Sequence, residues 1–174
     1  MWEILGNILP EILIGELLQI LRDTMNDVSK KGEFLDFSEQ NIKKLLYSGK
    51  TIRHLDISSA KIDVVDISDG KLHRVDASTS KIKKLNAANA KINLIDISSS
   101  RIKELIVEGA AINILDASGA NIDVLNLKNA KIIDLDISYS TIKTMILKNA
   151  KLVLPPDMTK AVIKRIITSD KEKS

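Results

Sequence analysis

The chain repeats every ten residues, and this repeat leaves few folds open to it. From residue 31 it falls into blocks such as TIRHLDISSA, KIDVVDISDG, KLHRVDASTS, KIKKLNAANA and KINLIDISSS, ending with TIKTMILKNA. The second position is Ile or Leu from Ile42 to Leu152, and the fifth is aliphatic from Leu35 to Met145. Past Phe37 and Tyr47 the seventh position is Ile, Ala, Val or Leu, and from Ala60 to Ala150 the tenth is Ala, Ser or Gly. The apolar positions therefore advance by three, two, three and two. A helix requires a period near 3.6 and a half-buried strand strict alternation, and neither matches. A five-residue unit matches: one residue in, one out, one in, then two that turn a corner.

A second period lies over the first. Asp36, Asp56, Asp76, Asp96, Asp116 and Asp136 recur every twenty residues, inside LDFS, LDIS, VDAS, IDIS, LDAS and LDIS. The intervening half is looser, reading LLYS, VDIS, LNAA, LIVE, LNLK and MILK. Twenty residues then make one coil of a solenoid in which each coil pairs only with its neighbours. Coils stack ~4.8 Å apart, so six of them make a rod of roughly 29 Å. A short leucine-rich repeat is the competing architecture, but it has one strand and one distinct return, whereas the two ten-residue halves here are nearly equivalent.

The units AKINL (90–94), ANIDV (120–124) and AKIID (130–134) resemble those of the pentapeptide-repeat family: a small residue, a polar one, Leu or Ile, then two free positions. The resemblance implies an all-β solenoid, a right-handed quadrilateral β-helix, over about residues 31–155. This sequence departs from the family pattern where alternate units carry Leu, Val or Ile in place of the small residue, as in LDISS (55–59). The wider interior that results is matched by Ala77, Ala87 and Ala117 at the neighbouring inner position.

An open solenoid exposes apolar interior at both ends, so caps are expected. Residues 1–30 read as an amphipathic capping helix from Pro10 on, with Leu13, Leu17, Ile20, Leu21 and Val28 along one face. At the other end Pro155-Pro156 stops the repeat. Residues 156–174 then read as a second capping helix and a polar tail, with Asp157 as its N-cap and Val162, Ile163, Ile166 and Ile167 on its apolar face. The N-terminal segment has more apolar surface than a cap needs. Trp2, Leu5, Leu9, Leu13, Leu17 and Leu18 are accordingly candidate self-association residues, and the expected assembly is a homodimer. A membrane-surface helix is the rival reading, opposed by an acidic polar face. The first 21 residues carry Glu3, Glu11 and Glu16 and no basic start, which argues against an export signal or a span and for a cytoplasmic setting.

Composition removes most chemistry. The chain has no Cys, two His and few aromatics (Trp2, Phe34, Phe37, Tyr47 and Tyr139). It contains no G-x-S-x-G, Walker, G-x-G-x-x-G or H-E-x-x-H sequence. No catalysis, cofactor or metal site is expected. The aspartate column reads as structural, its side chains bonding turn N–H groups, with Lys31, Lys71, Lys91, Lys131 and Lys151 on the same period to offset their repulsion.

Net charge is +3, yet bases gather on the first coils: Lys43, Lys44, Lys50, Arg53, His54, Lys61, Lys71, His73, Arg74, Lys81, Lys83, Lys84 and Arg101. Stacking by twenty places Arg53 over His73 and His54 over Arg74. Lys43, Lys44, Arg53, His54, His73, Arg74, Lys83 and Lys84 are the candidate partner or nucleic-acid patch, and without interleaved aromatics its contacts would be to phosphates. Outward Val64, Leu94, Ile114 and Val124 are candidates for an apolar side. Three roles follow: a non-catalytic scaffold for protein contacts, self-associating through a terminal helix; a nucleic-acid or ribonucleoprotein binder; and, least favoured by the positive charge, a DNA mimic that engages a type II topoisomerase, a role known in the family.

Overall fold

The computed structural model describes residues 32–169, with Gly15, Glu16, Leu18, Gln19 and Arg22 as a helical fragment before them. The described chain is an all-β parallel solenoid of about seven coils. Its strands are β1 (Glu33–Asp36), β2 (Asn41–Leu46), β3 (Thr51–Asp56), β4 (Lys61–Asp66), β5 (Lys71–Asp76), β6 (Lys81–Asn86) and β7 (Lys91–Asp96). They continue as β8 (Arg101–Ile106), β9 (Ala111–Asp116), β10 (Asn121–Asn126), β11 (Lys131–Asp136), β12 (Thr141–Ile146), β13 (Lys151–Leu152) and β14 (Val162–Ile167). Odd strands form one seven-stranded sheet and even strands the other, each in simple sequence order. Successive strands of a sheet pair parallel with a shift of twenty residues, as in Lys71↔Lys91 and Ile92↔Ile112.

The inward positions are those the repeat selects. From Ile52 to Ile142 the apolar residues at positions two, five, seven and ten are at most 1% exposed. Each fully buried Ile or Leu contributes about 1.5–3 kcal/mol. The tenth position is small for a steric reason: a Cβ on Gly70 would lie 2.9 Å from Leu72 Cδ1 and 3.0 Å from the Ile67 carbonyl oxygen. Serine is tolerated there because its hydroxyl donates to the carbonyl three residues back, as Ser80, Ser100 and Ser140 do at 2.6 Å.

The turns explain the rest of the repeat. The tenth-position N–H bonds back to the seventh-position carbonyl, as in Ala90 to Ala87 at 3.2 Å, closing a β-turn. The ninth residue of every turn has positive φ, between 54° and 70°. Three Gly, three Asn and one Asp occupy that position, but so do Glu39, Ser59, Thr79, Ser99, Tyr139 and, after a one-residue slip at Pro155-Pro156, Lys160. For these six the left-handed conformation is uncommon, and for β-branched Thr79 it is strained. Turns also bond to the next coil, as Ser59 N–H to the Ser78 carbonyl at 2.9 Å. The backbone ladder thus runs around the coil, corners included.

The C-terminal helix is not formed. Val162, Ile163, Ile166 and Ile167 belong to β14, which pairs with β12 as Ile142↔Ile163 and Met145↔Ile166. The shift is 21 residues there: Pro155-Pro156 inserts one residue, shortens β13 and then lets the repeat resume. Asp157-Met158-Thr159-Lys160-Ala161 repeats the Asp-apolar-Ser-x-small turn. Asp157 bridges Asp136, and its Oδ1 accepts from Thr159 N–H at 2.9 Å. It is a seventh member of the aspartate column, not a helix cap, and the solenoid runs on to Ile167. The N-terminal capping helix falls outside the described residues except for the fragment around Leu18, which is exposed. No helix among the described residues is long and apolar enough to cross a membrane.

Candidate functional site

Interior and turns are uniform, so function must reside in what each sheet presents outward at strand positions one, three and four. The basic candidates divide between the sheets. Arg53, His54, His73 and Arg74 lie on β3 and β5 of the odd sheet, whereas Lys43, Lys44, Lys83 and Lys84 lie on β2 and β6 of the even sheet. They are two patches, not one. The apolar candidates divide too: Leu94 and Ile114 are register partners on the odd sheet. Val64 and Val124 lie on the even sheet, with Lys84 and Glu104 between them in the column.

The odd-sheet patch is largely engaged with itself. His54 is the register partner of Phe34 and Arg74, and its ring meets Phe34 edge-on at 4.6 Å. Arg74 pairs with Asp76 at 2.9 Å. His54 Nε2, His73 Nδ1 and Arg74 Nε are buried with no hydrogen-bond partner among the described residues. Beyond them the third column becomes neutral, with Asn113 Nδ2 donating to Asn93 Oδ1 at 3.0 Å, while charge persists at Lys91, Lys131, Asp134 and Lys151.

This sheet also carries the aspartates. Each Oδ1 from Asp36 to Asp136 accepts the N–H of the Ser two residues on, at 2.8–3.2 Å. At Asp36, Asp76 and Asp96 the same Ser hydroxyl also donates, at 2.7 Å. The Ser38 hydroxyl and N–H hold the Asp36 carboxyl below the ordinary carboxylate range. At Asp76 burial is the largest influence and pushes upward, but Ser78 and Arg74 together outweigh it and the net shift is downward. Arg74, rather than a lysine, is the cation that reaches this column. Lys31 lies outside the described residues.

The even sheet differs. Its first-position column reads Asn41, Lys61, Lys81, Arg101, Asn121 and Thr141, and its third reads Lys43, Asp63, Lys83, Lys103, Asp123 and Lys143. Lys83 pairs with Asp63 at 2.8 Å and Lys143 with Asp123 at 2.7 Å. Lys43, Lys61, Lys81, Arg101 and Lys103 are exposed and make no ion pair with another described residue. Between the two columns runs a groove of about 240 Å³ over Ile62 and Ile82, lined by Lys61, Lys81, Arg101, Lys83, Lys103 and Asp63. A second hollow of about 460 Å³ continues it past Asn41, Ile42 and Lys43. Asp63 registers the local field. The Lys83 hydrogen bond, outweighing a smaller burial penalty and aided by Lys61 and Lys43, holds its carboxyl below the usual range.

The sequence pattern ranked bases by coil rather than by column, so it grouped Arg53 and His73 with Lys83 and passed over Lys103. The signal that finds the groove is strand parity: residues ten apart lie on opposite sheets, and residues twenty apart on the same one. In comparisons with known proteins, no family profile, curated protein or solved structure matches this chain.

Proposed function

We propose that the protein is a non-catalytic β-solenoid scaffold of the pentapeptide-repeat kind, which docks another macromolecule on its rigid outer faces and self-associates through a terminal segment. The filled interior carries this reading. Inward apolar residues from Ile52 to Ile142 are at most 1% exposed, so chemical variation is confined to side chains on two flat ladders. Self-association is supported by apolar side chains at the last coil, where Leu154, just past β13, is 48% exposed and Val162 on edge strand β14 is 55% exposed. The test is light scattering coupled to size exclusion on the full chain, a Leu13→Ser/Leu17→Ser/Leu18→Ser variant and a Val162→Ser/Ile166→Ser variant. The scaffold reading expects a dimer that one of the two variants dissociates while it stays folded. A monomer at all concentrations contradicts the self-association.

A second reading, nucleic-acid binding, is favoured by one observation: five cations along the even-sheet groove, Lys43, Lys61, Lys81, Arg101 and Lys103, that pair with no described carboxylate. Salt-dependent retention of an oligonucleotide separates the readings, since a protein-only scaffold retains none above background.

A further inference from the structure

We propose that the groove between the first and third columns of the even sheet is a binding site for a linear phosphate chain, running along the solenoid axis. The inference rests on the second reading above and gives it a location and a ligand class.

Three observations carry it. The first is charge without partners. Lys61, Lys81 and Arg101 follow one another on β4, β6 and β8 in strict register, and none makes an ion pair with another described residue. Like charges stacked ~4.8 Å apart repel. In the third column of the same sheet opposite charges relieve this at Lys83–Asp63 and Lys143–Asp123, and the other stacked lysines come in pairs, as Lys83–Lys103, Lys71–Lys91 and Lys131–Lys151. Lys61, Lys81 and Arg101 are the longest run of stacked cations among the described residues, and an anion that bridges them removes the repulsion.

The second is shape. The cations border a groove of about 240 Å³ whose floor is the backbone at Ile62 and Ile82, both about 1% exposed. Lysine stems form its walls and the ammonium groups its rim. One extended chain fits between columns two residues apart.

The third is spacing and flanking chemistry. An acidic peptide in extended form presents side chains to one face only every second residue, ~6.8 Å apart, out of step with cations at ~4.8 Å. A single phosphodiester or polyphosphate strand has no fixed repeat and can follow them. Beside the column, across the turn, stand Ser59, Thr79 and Ser99; the first two hydroxyls bond each other and Thr79 donates to the Ser78 carbonyl, which leaves Ser99 as the exposed hydroxyl of the type that contacts phosphate oxygens. No aromatic lines the groove, so no base is stacked and the binding is independent of sequence.

The test is fluorescence anisotropy of a labelled oligothymidylate across a salt series, with inorganic polyphosphate and polyglutamate as competitors. If the five cations each engage a phosphate, log K against log salt has a slope near −3.5, from about −0.7 per contact on a single strand. Lys61→Ala/Lys81→Ala/Arg101→Ala should lower the slope to about −1.4 and the affinity at low salt by more than tenfold, by the same relation. Asp63→Asn, which removes the groove's carboxylate and releases Lys83, should tighten binding and steepen the slope by about 0.7. Asp134→Asn adds the same charge to the odd sheet and should change neither, as should Arg53→Ala.

Polyphosphate competing where polyglutamate does not supports a phosphate chain, and equal competition overturns it. Binding that is lost in Arg53→Ala but kept in the triple variant, or that tightens equally in both Asp→Asn variants, sinks the groove while leaving nucleic-acid binding in place. No binding at low salt removes both.

Discussion

The two sheets are built on the same backbone and interior, yet their outer faces differ in kind. On the odd sheet every coil ends in an aspartate tied to its own turn, and its histidines and Arg74 are partly buried against neighbours. On the even sheet position six reads Leu46, Asp66, Asn86, Ile106, Asn126 and Ile146, and five cations border an open groove. Asp66, Asn86 and Asn126 hold their turns as the odd-sheet aspartates do, but Leu46, Ile106 and Ile146 cannot, so the turn motif is complete on the odd face and interrupted on the even one. In a solenoid the inward columns are fixed by packing, so the two faces can diverge without altering the fold.

The largest expected effect comes from the part the sheets share. Ile97→Asp places a carboxylate where exposure is 0%, and the chain should unfold, seen as loss of the β circular-dichroism signal. Next is the contrast between the faces. Asp96→Ala removes two turn bonds, at 3.0 and 2.7 Å, whereas Asn86→Ala at the equivalent even position removes one turn bond and one bond to Asp66 on the neighbouring coil, both longer at 3.2 Å. Chemical denaturation should show Asp96→Ala losing about 1–2 kcal/mol and Asn86→Ala less. Equal losses would erase the distinction between the two columns.

The same column predicts acid sensitivity. Asp36 and Asp76 have carboxyls held below their ordinary value. Their contribution is therefore present above the unfolded-state value near 4 and is lost as pH falls through the lower folded-state value. Thermal melts should shift downward below pH 4, and less so in Asp76→Asn. At Thr79, φ is 56°, and Thr79→Asn should stabilise by roughly 0.5–1 kcal/mol because Asn tolerates the left-handed region. Asn93→Asp is the smallest change: the group that accepts from Asn113 at 3.0 Å remains an acceptor, and stability should move by less than about 0.5 kcal/mol.

Much of the fold was legible because a ten-residue period with four inward positions admits little else. Ile42 to Leu152 at the second position and the small residues at the tenth specify coil, register and interior together. The C-terminal end reads as helix because Val162, Ile163, Ile166 and Ile167 satisfy helical spacing, whereas only Ile163 and Ile166 stand at positions two and five of the repeat. The prolines concealed the one-residue slip, after which Asp157-Met158-Thr159 continues the turn motif. The left-handed ninth position could have been read from Gly49, Asn89, Gly109, Gly119, Asn129 and Asn149, but Thr79 and Tyr139 mask it. The site was harder still. A sequence shows that Lys83 and Arg53 are both basic, but only the alternation of strands between sheets shows that they face opposite ways.

The central claim is that residues twenty apart are neighbours and residues ten apart are not. The chain has no cysteine, so paired substitutions report on it without background. Asn93→Cys/Asn113→Cys places thiols on adjacent strands, ~4.8 Å apart and within disulfide reach, whereas Asn93→Cys/Lys103→Cys places them on opposite sheets. Under mild oxidation the first pair should close to an intramolecular disulfide and the second should stay reduced. Closure of the second pair, or failure of the first in a folded protein, would contradict the twenty-residue coil on which the rest of the account depends.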